Sequence, residues 1–146
     1  KKGIINITNK EMTRFNISLE NAVDVVMWSL NNLIGGELLI PKLPSYKIMD
    51  LAKAISSKCI NPIVGIRPGE KIHEEMISSS DSQNTIELKN FFIILPSLDE
   101  KIFTIYKKKL RAKKVKKGFV YNSNSNNKFL TIKEINQLIL KFQKDL

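Results

Sequence analysis

Residues 18–40 read SLENAVDVVMWSLNNLIGGELLI, the pattern of a helix followed directly by a strand. Ser18 is a helix N-cap residue type, and Leu19, Ala22, Val23, Val26, Met27, Leu30, Leu33 and Ile34 recur at helical spacing behind it. Gly35-Gly36 predicts the stop, because glycine adopts the left-handed conformation of a helix cap at little cost. Leu38-Leu39-Ile40 is apolar without alternation, which predicts a strand buried on both faces of a parallel sheet. Trp28 lies off the apolar stripe, and a partly buried packing role is expected for it. Working outward, Ile4-Ile5-Asn6-Ile7-Thr8 reads as a short strand. Ser45 is expected to cap a second helix with Ile48, Leu51, Ala52 and Ile55 turned inward. The order strand, helix, strand, helix is that of an α/β fold.

Beyond Ile55 the pattern changes to a smaller mixed lobe. Ile63–Ile66 reads as a strand, Ile72–Ile77 as a short helix and Thr85–Leu95 as one extended strand. Leu98–Leu110 fits helix and strand equally. Ser123–Asn127 is a polar loop, and Thr131-Ile132-Lys133-Glu134 is a capping box opening an amphipathic helix over 131–146. Ile132, Ile135, Leu138, Ile139 and Phe142 form its apolar face. This tail predicts an α+β appendage.

Composition narrows the function classes. A chain of 146 residues can form a real core. Cys59 is the only cysteine, so no disulfide forms within the chain, and His73 is the only histidine, which excludes a multi-histidine metal site. Glu70, Glu74 and Glu75 lie beside Lys71 and read as a solvated face. No apolar run approaches the ~20 residues of a membrane helix, since Phe91–Leu95 stops at Pro96. The formal net charge is +10, with much of the excess between Lys107 and Lys117. That run lacks interleaved aromatics for base stacking, so a solvated basic segment is expected rather than a specific nucleic-acid site.

The chemistry concentrates in residues 65–76, GIRPGEKIHEEM. Arg67 follows the apolar run Ile63, Val64 and Ile66, and Pro68-Gly69 calls for a tight turn. An arginine there can fork onto phosphate oxygens, and Glu70 can accept from two vicinal hydroxyls. A second arginine, Arg14, stands in Met12-Thr13-Arg14-Phe15-Asn16-Ile17, ahead of the helix at Ser18.

Those segments, with Gly35–Ser45 and Ile48–Ile55, resemble one family: the inverting UDP-N-acetylglucosamine 4,6-dehydratases, extended short-chain dehydrogenase/reductases. The resemblance is dense from about Gly3 to Ser82, thins through Lys101–Gly118, and returns weakly from Phe119–Ser123 to the end. It implies a fold of α/β class: the C-terminal portion of a doubly wound Rossmann-type domain plus a small α+β substrate-binding lobe. By that resemblance residues 1–58 would close the Rossmann-type sheet. Residues 59–146 would form the lobe, carrying the basic segment 107–117 and the helix 131–146. It implies substrate-binding roles for Arg14 and Arg67 on the diphosphate of UDP-N-acetylglucosamine and for Glu70 on the ribose, with His73 as a further contact.

The family's cofactor fingerprint and catalytic residues have no counterpart here. The nearest glycine pair, Gly35-Gly36, follows a helix instead of opening one, and Tyr46, Tyr106 and Tyr121 are followed four positions on by Asp50, Leu110 and Ser125, not lysine. The chain is therefore expected to be a C-terminal portion, inactive by itself, of a lyase using NADP, with NAD the alternative. In that family the cofactor oxidises C4 of the sugar, water leaves across C5–C6, and hydride returns to C6 with C5 inverted. The resemblance further implies a cytoplasmic homo-oligomer supplying pseudaminic acid, flagellin glycan or surface polysaccharide synthesis. The alternatives are a fragment of a retaining UDP-sugar dehydratase or an epimerase, and a non-catalytic binding or assembly module with a basic surface.

Overall fold

The computed structural model describes residues 3–97 and 99–144. In chain order the elements are β1 (Thr13–Phe15), α1 (Leu19–Asn32), β2 (Leu38–Pro41), β3 (Ser45–Lys47), α2 (Ile48–Ile55) and β4 (Glu75–Ile77). After a 3-10 turn at Asp81–Asn84 come β5 (Thr85–Glu87), β6 (Phe91–Ile94), α3 (Glu100–Leu110), β7 (Lys113–Lys114), β8 (Tyr121–Asn122) and α4 (Ile132–Lys144). The mixture is α/β, as the element order in the sequence implies. It divides into two units, one of Lys1–Asn16, Pro44–Glu74 and Asn122–Leu146, the other of Ile17–Leu43 and Glu75–Tyr121.

The second unit is built on a four-stranded antiparallel sheet ordered β2-β6-β5-β7. Leu38 pairs with Ile94 and Ile40 with Phe92. This corrects the parallel strand expected at Leu38–Ile40: an apolar run reports burial, not strand direction, and here only Ile40 is buried (8% exposed) while Leu38 is 64% exposed. The single strand expected over Thr85–Leu95 is a hairpin, because the chain reverses at Leu88–Asn90 and the Leu88 amide bonds to the Phe91 carbonyl at 2.8 Å. Leu98–Leu110 resolves as α3, capped by the Asp99 carboxylate on the Lys101 amide at 2.7 Å; Leu98 lies outside the described residues. Ile86, Leu88, Ile93, Leu95, Tyr106 and Ala112 form one buried cluster.

α1 starts where its cap predicts, with Ser18 accepting from the Asn21 amide at 3.1 Å. It ends at Asn32, not at the glycines, because Leu33 turns extended and packs on the cluster. Its packed side is the one bearing Trp28, whose ring lies 4.5 Å from that of Phe91. Of the apolar stripe that the spacing turns inward, Leu19, Val23, Val26, Met27, Leu30 and Ile34 are instead exposed.

In the first unit β1 pairs antiparallel with β3, Arg14 opposite Tyr46. Ser45 belongs to that strand and caps nothing. Its amide bonds to the Lys128 carbonyl and its carbonyl to the Leu130 amide, so α2 begins three residues later. The helix expected at Ile72–Ile77 is also absent. The Ile72 and Glu74 carbonyls accept from the Thr13 and Ser123 amides instead of from a helical turn, and Glu75–Ile77 is the strand β4. α2 packs on α4, and Asn136 Nδ2 donates to the Ala54 carbonyl at the end of α2. The capping box opens α4: the Glu134 carboxylate accepts from the Thr131 amide at 2.8 Å, and Thr131 Oγ1 from the Glu134 amide at 3.3 Å. Residues 145 and 146 of the helix expected over 131–146 lie outside the described residues.

Candidate functional site

Two extended segments of the first unit run parallel. Ile4 bridges Ile60 and Ile7 bridges Ile63, through bonds from Ile5 N–H to the Ile60 carbonyl (3.0 Å), Ile7 N–H to Pro62 (2.9 Å) and Val64 N–H to Ile7 (2.8 Å). The bridges fall at Ile60 and Ile63, earlier than the Ile63–Ile66 strand read from the sequence. Because the segments point the same way, the stretches that follow them, Thr8–Arg14 and Gly65–His73, leave from the same end. In open α/β sheets that carboxyl end is where ligands bind.

The turn after the second segment has the geometry its sequence demands. The Glu70 amide bonds to the Arg67 carbonyl at 3.1 Å, and Gly69 sits at a φ of 78°, which a side chain would strain. The Glu70 carboxylate folds back so that Oε2 accepts from the Arg67 amide at 3.2 Å, leaving Oε1 for another donor. The Arg67 side chain projects from this turn, exposed, and its guanidinium has no protein partner among the described residues.

Arg14 is placed differently. Nη1 donates to the carbonyls of Thr13 (2.7 Å) and Ile72 (3.0 Å), and Nη2 to the Lys71 carbonyl (2.9 Å) and Met12 Sδ (3.1 Å). Nε faces Glu74 Oε1 at 3.8 Å. The other oxygen of Glu74 accepts from the Phe15 amide at 2.7 Å. Arg14 thus clasps the 71–74 segment to β1, with Nη1 and Nη2 donating to carbonyls and to Met12 Sδ and Nε paired with the Glu74 carboxylate. Tyr46, opposite it, is held above the ordinary phenol range by burial and by the nearby Glu74 carboxylate, with Arg14 opposing.

His73 ends a chain of hydroxyls that sequence reasoning did not find. Its Nδ1 lies 2.8 Å from Thr13 Oγ1, which lies 2.7 Å from Ser123 Oγ. Ser123 Oγ accepts from the Glu74 amide at 2.9 Å and reaches the Thr13 carbonyl at 3.2 Å. One proton arrangement uses all four contacts. Nδ1–H donates to Thr13, Thr13 O–H to Ser123, and Ser123 O–H to the Thr13 carbonyl. With Nδ1 committed to Thr13, Nε2 is the ring nitrogen left for another partner. Thr13 and Ser123 are 2% and 0% exposed, so the two hydroxyls are shielded from water. Nothing in the sequence marks a threonine and a serine 110 positions apart as partners.

A pocket of about 420 Å³ opens beside His73, lined by Lys10, Glu11, Thr13, Lys47, His73 and Asn124. Its two lysines, one carboxylate, an imidazole and an amide make it a polar pocket suited to a hydrogen-bonding ligand. A second hollow of about 320 Å³ between α2 and α4 is apolar and carries no ionic group. Among the described residues no cluster of three metal-ligating acids, cysteines or histidines occurs. Nor is any helix long and apolar enough to cross a membrane.

The sequence pattern of the polysaccharide biosynthesis protein family matches residues 1–96, which hold all four candidate residues. The chain belongs to that family. It is 44% identical to a Campylobacter jejuni protein named UDP-N-acetylglucosamine 4,6-dehydratase (inverting), over 91% of this chain and 41% of that relative. The resemblance carried by the motifs is therefore borne out. A Rickettsia typhi UDP-glucose 4-epimerase is 30% identical over 93% of this chain and 40% of the relative. Among solved structures, the X-ray structure of Pen from Bacillus thuringiensis matches with a TM-score of 0.78 at 28% identity, covering 95% of this chain and 41% of that one. The chain spans about 41% of the length of the Campylobacter relative.

Proposed function

We propose that this chain is the UDP-gripping, C-terminal region of a C5-inverting UDP-N-acetylglucosamine 4,6-dehydratase. The observation that carries the reading is the common end of the two parallel segments, from which both arginine-bearing stretches emerge. Arg67, exposed and without a protein partner among the described residues, takes the diphosphate, and Glu70 Oε1 takes a ribose hydroxyl. Arg14 adds fixed positive charge and holds the 71–74 segment in place. His73 presents Nε2 to the ligand. This binding, remote from the reacting carbons, fixes the sugar where a misplacement of about 1 Å costs roughly a hundredfold in rate.

NADP, or NAD in its place, withdraws and returns the hydride when bound, and no residue of this chain is assigned to it. Residues 1–58 act as closing elements of a Rossmann-type sheet and 59–146 as the substrate lobe. The product serves pseudaminic acid, flagellin glycan or surface polysaccharide synthesis, made by a cytoplasmic homo-oligomer. The chain alone is inert.

The test is mass spectrometry of UDP-N-acetylglucosamine incubated with NADP and the complete protein carrying this region. A 4-keto product inverted at C5 is expected, and none from the chain alone. The likeness to the Rickettsia epimerase supports the second reading. Conversion of UDP-glucose to its C4 epimer, with UDP-N-acetylglucosamine left intact, would replace the dehydratase assignment with that one.

A further inference from the structure

We propose that the basic face formed by α3, β7 and residues 115–118 docks on an anionic lipid surface. Residues 101–117 carry nine cations and no acid. The rest of their unit carries eight acids and only two cations, Lys42 and Lys89. Lysines spread over a surface by composition alone would not segregate in this way. Those in the last turn of α3 also favour the helix dipole, but Arg111, Lys113, Lys116 and Lys117 lie beyond the helix and gain nothing from it. All nine are exposed, and among the described residues only Lys114 has an acid partner, Glu100 at 2.5 Å. Like charges gathered without counter-charges repel one another, and an anionic surface relieves that repulsion.

Three observations choose lipid over nucleic acid. First, eight of the nine cations are lysines, compact point charges suited to a diffuse field of headgroups, and Arg111 is the one planar fork. Second, the nearby rings are engaged within the protein. Lys114 Nζ lies 4.8 Å over Phe103, and Phe119 packs 5.2 Å from Phe92, so neither ring is offered to a base. Third, Ile105 is 48% exposed on α3, with Lys101, Lys108 and Lys109 one turn away on its face. An apolar side chain ringed by ammonium groups matches the boundary between headgroups and acyl chains, and adds nothing on a phosphate backbone. Lysines on the edge strand β7 would also deter strand pairing, but those of α3 lie on no edge. Beside β7 a hollow of about 540 Å³ has four lysines in its lining, and its one carboxylate, Glu87, is taken by Lys42 at 2.6 Å. A lipid phosphate fits there. The face lies beyond residues 1–96, which carry the family pattern, and the inference does not rest on the UDP reading.

The experiment sediments the complete protein carrying this region with vesicles of equal parts phosphatidylcholine and phosphatidylglycerol at physiological salt. Binding is expected, absent with phosphatidylcholine alone and weakened as salt is raised. Lys108→Gln, Lys113→Gln and Lys117→Gln combined should weaken it by about tenfold or more. Lys53→Gln, Lys58→Gln and Lys133→Gln combined, an equal charge change in the other unit, should weaken it by less than about twofold. Circular dichroism checks that both variants fold. In a background without other cysteines, an environment-sensitive dye on Ile105→Cys should shift its emission to the blue on the anionic vesicles. An unshifted dye would overturn the proposal. So would a failure to sediment, equal losses in the two triple variants, binding to phosphatidylcholine alone, or a DNA duplex that displaces the vesicles at physiological salt.

Discussion

The two units solve the problem of burying apolar surface in different ways. Ile17–Leu43 with Glu75–Tyr121 closes a core of its own, an antiparallel sheet over Ile86, Ile93 and Leu95, with Tyr106 of α3 against it. The other unit packs α2 on α4 and buries Ile7, Met12, Ala52, Ala54 and Ile135, but Ile4, Ile60 and Ile63 of its two-bridge parallel pairing remain exposed, and part of its sealed interior is the polar Thr13–Ser123 pair. The candidate site lies in this second kind of region. Where side chains are held by hydrogen bonds to backbone rather than by a dry core, an arginine such as Arg67 is left free to meet a ligand.

The largest effect that would break this contrast is in the core. Ile93→Ala, at a fully buried position, should cost about 2–5 kcal/mol in urea denaturation, whereas Ile63→Ala should cost less than about 1 kcal/mol in the chain alone. Equal losses would mean that the parallel segment closes a core too. Next comes the hydroxyl network. Ser123→Ala strips the part-buried Glu74 amide of its acceptor and should destabilise by about 1–3 kcal/mol. It should also loosen His73, visible as a changed imidazole NMR signal; an unmoved signal would disconnect the histidine from the network.

Smaller still is a pH effect in the other unit. Burial acts to raise the Glu37 carboxyl, but hydrogen bonds from Tyr106 and from the Gly35 and Ile34 amides outweigh it and hold it below the ordinary value of 4.5. A depressed carboxyl stabilises fully above its unfolded pKa and loses that contribution as pH falls through the folded one. Melting temperature should therefore drop below pH 4.5 by more in the wild type than in Glu37→Gln. The difference should be under about 1 kcal/mol because water screens a half-exposed carboxylate. Identical slopes would remove Glu37 as a tie between the Gly35-Gly36 turn and α3.

Features set by local chemistry were legible in the sequence. Ser18 and the Thr131–Glu134 box cap their helices, Pro68-Gly69 makes its turn, and the order of segments places the chain in α/β. What failed was whatever depends on distant partners. The direction of the Leu38–Ile40 strand is decided by Phe91–Ile94, and the extended state of 72–77 by Thr13 and Ser123. The stripe on α1 was legible as amphipathic, but periodicity says which face is apolar and not what covers it. At the site, the Arg67–Glu70 turn follows from its own residues, whereas the commitment of Arg14 to the 71–72 carbonyls needs the fold.

The most direct test of the account is calorimetric titration of UDP into the complete protein carrying this region, comparing Arg67→Ala with wild type. The account predicts a loss of about 2–4 kcal/mol in binding, the scale for removing a charge-assisted phosphate contact, with thermal stability unchanged because the exposed Arg67 guanidinium has no protein partner among the described residues. Unaltered UDP affinity in the variant would contradict the claim that the common end of the parallel segments holds the diphosphate.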